Sequence, residues 1–194
     1  SGKTIVATIA MVATALTGKQ AALMVPTEIL AEQHMLTIEK LIQGTSLKAV
    51  LLTGSMNRSQ KKRKELLAQI ESGEANLIIG THALFQQDVN FKDLAFVVID
   101  EQHRFGVQQR QALSGKGAGV NVLQMTATPI PRTLAITAFG EMDTSILSEI
   151  PRGRQPIKTS WVREQEMEQI FNFVERQIQE GRQAYMISPL IEES

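Results

Sequence analysis

Short apolar segments alternate with longer segments of helical periodicity along most of this chain, and that alternation restricts the folds open to it. The strand-like segments carry no polar face, which is typical of parallel strands covered by helices on both sides. The pattern therefore predicts an α/β domain with a mostly parallel sheet flanked by helices. The predicted strands are 20–25, 47–52, 77–79, 96–99 and 120–123, and the predicted helices are 3–16, 27–42 and 59–70.

A second region of the same type follows a break in this pattern. Residues 150–157 contain two prolines, a glycine and two arginines, and we interpret them as an interdomain linker. The predicted elements beyond it are a strand at 157–162, a helix at 164–179 and a strand at 184–188. The predicted organisation is a first domain at 1–149, a linker at 150–157 and the start of a second α/β domain at 158–194. We expect the chain to be a piece of a longer protein.

Composition excludes several classes of function. The 194 residues include no cysteine, which rules out disulfides, thiolate metal sites and a cysteine nucleophile. The 20 basic and 20 acidic side chains give a formal net charge of +0, so any contact with nucleic acid must be local. No apolar run approaches the roughly 18 residues that a membrane helix needs, and we expect no membrane partner.

The first four residues have the composition of a phosphate-binding loop. Ser1, Gly2, Lys3 and Thr4 enter a predicted helix and match the closing half of the pattern Gly, four residues, Gly-Lys-Ser/Thr. In that geometry the backbone N–H groups bind phosphate at the helix N-terminus. Lys3 would reach the β- and γ-phosphates of ATP, and the Thr4 hydroxyl would bind Mg²⁺. A polar helix start is the alternative for so short a pattern.

Two adjacent acids follow a buried strand. Asp100 and Glu101 come directly after the apolar segment 96–99, and ligands of parallel α/β sheets bind at such strand ends. A Mg²⁺ ion near Asp100 would offset the cost of placing two like charges together. Glu101 would then orient and deprotonate the water that attacks the γ-phosphorus. The alternative is a solvated acidic turn.

Further motifs bring the chain close to a known family. Asp-Glu-Gln-His at 100–103 and Met-Thr-Ala-Thr-Pro at 125–129 resemble motifs of the superfamily 2 helicases. The longer segments 100–106 and 126–134 are similar to both the RecG-type helicases and the transcription-repair coupling factors. Within them, Gly-Arg-Gln-Ala-Tyr at 181–185 and the ending Pro-Leu-Ile-Glu-Glu-Ser are similar to the RecG-type helicases. The resemblance implies an ATP-driven DNA motor of two tandem RecA-like domains, a P-loop fold, and ATP with Mg²⁺ as cofactors.

The resemblance also implies roles for individual residues. Gln102 and His103 would bind the nucleotide, and Thr126 and Thr128 would couple the ATP site to the DNA site. The implied DNA-binding residues are Pro26, Thr27, Glu28, Thr53, Gly54, Gly80, Thr81 and His82. From the residues alone, Thr27 is as well explained by a helix cap, and Gly54 and Gly80 by ordinary turns.

Some charged and aromatic positions have more than one interpretation. Arg104 and Arg132 could contact DNA or pair with a carboxylate. The basic run Arg58, Lys61, Lys62, Arg63 and Lys64 is interpreted as a solvated helix face, with phosphate contact as the alternative. Phe171 and Phe173 are expected in a hydrophobic core.

The function implied by the resemblance is ATP-dependent remodelling of branched DNA, such as replication forks and Holliday junctions, in recombination and repair. The expected partners are branched or double-stranded DNA and the remaining domains of a monomeric parent in the bacterial cytoplasm, at the nucleoid. A transcription-repair coupling factor and a non-catalytic nucleotide- or DNA-binding module are the alternatives. Since half of the phosphate loop and an arginine finger are missing, we expect this chain alone to hydrolyse ATP negligibly.

Overall fold

The computed structural model describes residues 2–54, 60–100, 119–127, 143–147 and 157–188. The chain divides into two compact units, Ser1–Pro151 and Arg152–Ser194. The strands of the first unit are β1 Gln20–Met24, β2 Ala49–Leu52, β3 Leu77–Gly80, β4 Leu94–Ile99 and β5 Asn121–Gln124. Its described α-helices are α1 Lys3–Leu16, α2 Glu28–Leu41 and α3 Gln60–Ser72. The second unit contains helix α4, Met167–Gln179.

The five strands form one parallel sheet in the order β2-β3-β1-β4-β5. Because every strand runs the same way, all five carboxyl ends lie at one edge of the sheet, which we call the carboxyl edge. The predicted fold class, a mostly parallel sheet flanked by helices, is confirmed. Each strand predicted in the first unit is present, with bounds that shift by at most a few residues at either end.

Apolar side chains on both faces of the sheet explain its strands. Ala22 and Met24 of β1 pack with Ile70 of α3, whereas Leu23 packs with Met11 of α1. Helices α1 and α2 contribute to the same hydrophobic cluster, and α3 contributes to the cluster on the opposite face. A two-sided core of this kind has little room for alternating polar residues, which is why the strands are mostly apolar.

One polar residue, Gln20, lies in this core at the start of β1. Its side chain is only 2% exposed, yet all of its hydrogen-bonding groups have partners. The Nε2 atom donates to the carbonyls of Ile70 and Ala75, both at 2.8 Å. The Oε1 atom accepts from the backbone N–H groups of Lys92 at 2.8 Å and Asp93 at 3.1 Å. Buried amides are tolerated when they are satisfied in this way, and here the amide joins three segments.

Gly80 ends β3 at a point where two backbones approach closely. A Cβ atom added to Gly80 would lie 2.2 Å from the carbonyl oxygen of Leu52 on β2. No side chain fits at that distance, so the glycine is required by strand packing. The alternative of an ordinary turn at Gly80 is therefore wrong, because this residue belongs to the strand.

The second unit differs from its prediction. Residues 157–162 and 184–188 were predicted as strands, but in the structure they are irregular. A strand needs a neighbour to accept its backbone hydrogen bonds, and the described part of this unit offers none. The helix is confirmed, with a 3-10 turn at Glu164–Glu166 leading into α4.

The aromatic residues of α4 are not in a core. Phe171 is 49% exposed and Phe173 is 53% exposed, so the expectation that they are core residues is wrong for this unit. Burial of an amphipathic helix requires an apolar surface opposite it, and no residue of α4 is buried.

Among the helices that the structure describes, none has the length and apolar content to cross a membrane.

Candidate functional site

The carboxyl edge of the sheet brings together segments that are far apart in the sequence. Backbone hydrogen bonds hold the strand ends in register at this edge. They run from Val25 N to Gly80 O at 3.0 Å, from Thr81 N to Leu52 O at 3.3 Å, from Asp100 N to Met24 O at 2.9 Å and from Met125 N to Ile99 O at 2.8 Å. The residues that follow each strand therefore start from fixed positions.

The predicted phosphate-binding residues lie at the start of α1. Gly2 caps this helix in a left-handed conformation with φ of 76°, which favours glycine. Lys3 extends its Nζ atom to the backbone carbonyl of Thr126, which follows β5. The side chain of Thr4 is exposed on the first helical turn. Two predicted groups, the phosphate-binding lysine and a coupling threonine, are thus in direct contact.

Asp100 follows β4, as the sequence predicted. Since Ile99 pairs with Gln124, Asp100 lies beside the segment of β5 that leads to Thr126. Its side chain is 16% exposed and has a partner that sequence reasoning missed: Oδ2 lies 3.7 Å from Nε2 of His34, which is 11% exposed. One signal for His34 was available, since it lies on the same face of α2 as the buried residues Ala31 and Ile38.

Three predicted DNA-binding residues meet at the same edge. A Cβ atom placed on Gly54 would lie 3.5 Å from Oε1 of Glu28 and 3.8 Å from Cε1 of His82. These residues follow β2, β1 and β3 respectively, so three separate motifs converge on one surface. Thr27 is exposed beside them, and its Oγ1 accepts a 3.3 Å hydrogen bond from Leu30 N. The helix cap suggested from the sequence is present.

The other predicted DNA-binding residues are less accessible. Thr53 is 3% exposed and Thr81 is 1% exposed, and Gly80 is buried between strands. Among the described residues, the Oγ1 atom of Thr81 has no hydrogen-bond partner. Pro26 is half-buried. Among the described residues predicted to bind DNA, Thr27 and His82 are exposed, whereas Pro26, Glu28 and Gly54 are half-buried.

The basic run at the start of α3 separates into two parts. Lys61, Lys62 and Lys64 are exposed, as a solvated face requires. Arg63 points inward, is 9% exposed and forms an ion pair with Asp88 at 2.8 Å. It also donates to Oε1 of Gln86 at 2.6 Å. Neither interpretation of the run fits Arg63, because its role is to fix α3 to the segment after β3.

Several predicted positions lie outside the described residues. They are Ser1, Arg58, Glu101, Gln102, His103, Arg104, Thr128 and Arg132.

Comparison with known proteins defines the class. The sequence model of the DEAD/DEAH box helicases matches residues 1–136. The chain therefore belongs to the DEAD/DEAH box helicase family. Its curated relatives include the "ATP-dependent DNA helicase RecG" of Bacillus subtilis (strain 168), which is 55% identical over all 194 residues. The protein of the same name from Streptococcus pneumoniae serotype 4 is 56% identical over the same span. The resemblance to RecG-type helicases is confirmed by these matches.

The chain spans 28% of the length of these relatives. Among solved structures, RecG bound to a three-way DNA junction matches with a TM-score of 0.79 and 38% identity, over 99% of this chain and 25% of that one. A DEAD box protein from the hyperthermophile Methanococcus jannaschii matches with a TM-score of 0.54 and 23% identity, over 71% of this chain and 39% of that one. The second match supports the fold alone.

Proposed function

We propose that this chain forms the nucleotide-binding part of a RecG-type DNA helicase motor, which uses ATP to remodel branched DNA. The observation that carries the proposal is that one edge of the sheet holds two polar groups side by side. One contains Lys3, which contacts the Thr126 carbonyl, and Asp100, which follows the strand paired with β5. The other contains Glu28 and His82 around Gly54. A motor needs both a nucleotide site and a track-binding surface on the same rigid element.

The residues of the first group fit ATP with Mg²⁺. Lys3 carries three N–H donors on a flexible stem and can move from the Thr126 carbonyl to phosphate oxygens. The Thr4 hydroxyl and the Asp100 carboxylate are the oxygen ligands that Mg²⁺ prefers. The described residues contain no cluster of three or more His, Asp or Glu side chains. That is compatible with Mg²⁺, which is held by one or two carboxylates together with substrate phosphates.

Hydrolysis would depend on the acids after β4. Glu101 would accept a proton from the attacking water, while Lys3 would stabilise negative charge on the phosphate oxygens. The metal ion, when bound, would neutralise charge that develops on the same oxygens. Gln102 and His103 would contact the nucleotide, and Thr128 would act with Thr126 in coupling. Each of these roles is carried over from the family motifs.

The second group suits a nucleic-acid backbone. Thr27 and His82 offer exposed polar atoms, and Gly54 leaves space for close approach of a sugar-phosphate chain. Such contacts carry little sequence information, as expected for a motor that moves along DNA. Because a solved relative is bound to a three-way junction, we propose branched DNA as the substrate. We place the protein at the bacterial nucleoid, as a monomer whose further domains hold the junction.

The proposal is tested by unwinding of a labelled three-way junction in the full-length helicase. Wild type is expected to separate the strands only with ATP and Mg²⁺. Lys3→Ala is expected to slow unwinding by about 10²-fold or more, because a preorganised charge at the phosphates is lost. Junction affinity serves as the control and is expected to be unchanged in Lys3→Ala. Unwinding at the wild-type rate by this variant would contradict the nucleotide site proposed here.

A further inference from the structure

His34 is a polar residue on the buried face of α2. It lies on the same side of the helix as Ala31 and Ile38, which are 0% and 1% exposed. Its own side chain is 11% exposed, and its Nε2 atom faces Oδ2 of Asp100 at 3.7 Å. An apolar side chain would be enough for packing alone. We therefore explain the imidazole at this position by its contact with the Asp100 carboxylate.

The contact constrains Asp100. At 3.7 Å the two atoms are beyond hydrogen-bond range, so the interaction is electrostatic and steric. A carboxylate has two oxygens, and a side chain packed against one of them limits the orientations open to the group. Residues that orient a ligand from behind in this way set the geometry that a metal ion meets.

The same helix reaches the second polar group of the carboxyl edge. Thr27 caps α2 through Leu30 N, and Glu28, its first residue, lies against Gly54 and His82. His34 lies six positions after Glu28, a rise of about 9 Å along the helix at 1.5 Å per residue. Since α2 is a continuous helix with buried residues on one face, displacement of its first turn would be transmitted to His34.

We propose that His34 is a positioning residue for Asp100, and that α2 links occupancy of the DNA surface at Glu28, Gly54 and His82 to binding of the Mg²⁺-nucleotide. This inference rests on the proposed function, because it needs both sites to be occupied by those ligands. It adds a residue outside the motifs and a physical connection between the two sites. Coupling of this kind is reciprocal, so DNA and nucleotide strengthen or weaken each other's binding by the same factor.

The test measures binding in the full-length helicase. A fluorescent ATP analogue is titrated with Mg²⁺ in the presence and absence of a three-way junction, which gives a coupling factor for wild type. His34→Ala is expected to weaken Mg²⁺-dependent nucleotide binding by about 10–100-fold, the range seen for residues that orient metal ligands. Its coupling factor is expected to fall to about one.

Two further variants separate positioning from general damage. His34→Gln keeps a nitrogen donor and is expected to restore part of the coupling. Gln33→Ala alters an exposed neighbour on the same helix and is expected to behave as wild type. Circular dichroism and junction affinity in the absence of nucleotide establish that each variant is folded.

The outcomes distinguish a failure of the proposed function from a failure of the role proposed for His34. If wild type binds neither nucleotide nor junction, the proposed function itself is contradicted. If wild type binds both, and folded His34→Ala and His34→Gln retain its nucleotide affinity and coupling factor, the role of His34 is overturned. A loss in His34→Ala with partial recovery in His34→Gln supports it.

Discussion

At the scale of single residues, Thr27 shows how one side chain can support two interpretations. Its hydroxyl accepts the Leu30 N–H and caps α2, so the local explanation is sufficient for its identity. It is also exposed at the edge where DNA contact is proposed. The sequence could not separate these roles, because Thr is favoured at helix caps and equally able to contact phosphate.

Substitution of Thr27 separates the two roles. Thr27→Ala is expected to lower the free energy of unfolding by about 1 kcal/mol, because the cap is lost. Thr27→Asp keeps a capping oxygen and is expected to unfold within about 0.5 kcal/mol of wild type. Its added negative charge is expected to weaken junction binding by about tenfold, or near 1.4 kcal/mol. Urea denaturation and fluorescence anisotropy at fixed salt measure the two effects. Unchanged junction affinity in Thr27→Asp would show that Thr27 caps the helix but does not contact DNA.

Gly80 and Gly54 form a matched pair for a second prediction. Gly80→Ala places a Cβ 2.2 Å from Leu52 O, and the strands must separate to accept it. We expect a loss of about 1–3 kcal/mol in the free energy of unfolding, as for other overpacked sites. The Cβ of Gly54→Ala meets no atom of the described residues closer than 3.5 Å, and the substitution is expected to change stability by less than about 0.5 kcal/mol. Equal stability of the two variants by urea denaturation would be inconsistent with the close approach of β2 and β3.

At the scale of elements, the strands predicted correctly are those whose own residues are buried in the sheet. The strands of the first unit carry their signal locally, since each contains apolar residues and every residue of β1 and β3 is buried. The strand predicted at 157–162 is less apolar, since it includes Lys158, Thr159 and Ser160. Both it and the strand predicted at 184–188 depend on neighbours that the described residues do not supply. Periodicity reports a tendency to be buried, and only pairing partners turn that tendency into a strand.

Helix α3 and the segment after β3 are joined by Arg63. Its guanidinium contacts Asp88 through Nε at 3.3 Å and Nη2 at 2.8 Å. Arg63→Ala is expected to lower the free energy of unfolding by about 1–2 kcal/mol. This loss is towards the lower end for hydrogen bonds between charged groups, because Asp88 is 50% exposed and water can replace its lost partner. Lys62→Ala, on an exposed face of the same turn, is the control and is expected within about 0.5 kcal/mol of wild type.

Urea denaturation curves of Arg63→Ala and Lys62→Ala measure whether the loss of stability comes from the Arg63–Asp88 ion pair. A loss in Lys62→Ala as large as in Arg63→Ala would show that the effect comes from the helix and not from the ion pair.

At the scale of the whole molecule, the residues predicted for the nucleotide site lie in short motifs of the sequence. Lys3, Thr126 and Asp100 come from separate motifs, and the structure places each at the carboxyl edge. His34 and Arg63 were missed because their partners, Asp100 and Asp88, are distant in the sequence and belong to other elements. Contacts of that kind arise from packing, and a helical pattern alone does not specify which residue a buried polar group will meet.

We propose that this sheet edge couples ATP hydrolysis to DNA, and the ATPase rate of the full-length helicase measures that coupling. The rate is measured with and without branched DNA, in wild type and in Glu101→Gln, which keeps the size of the side chain and removes the base. We expect DNA to stimulate the ATPase rate of wild type strongly, and we expect the rate of Glu101→Gln to be lower by at least about 10²-fold. Equal slow rates in both proteins, unaffected by DNA, would contradict it.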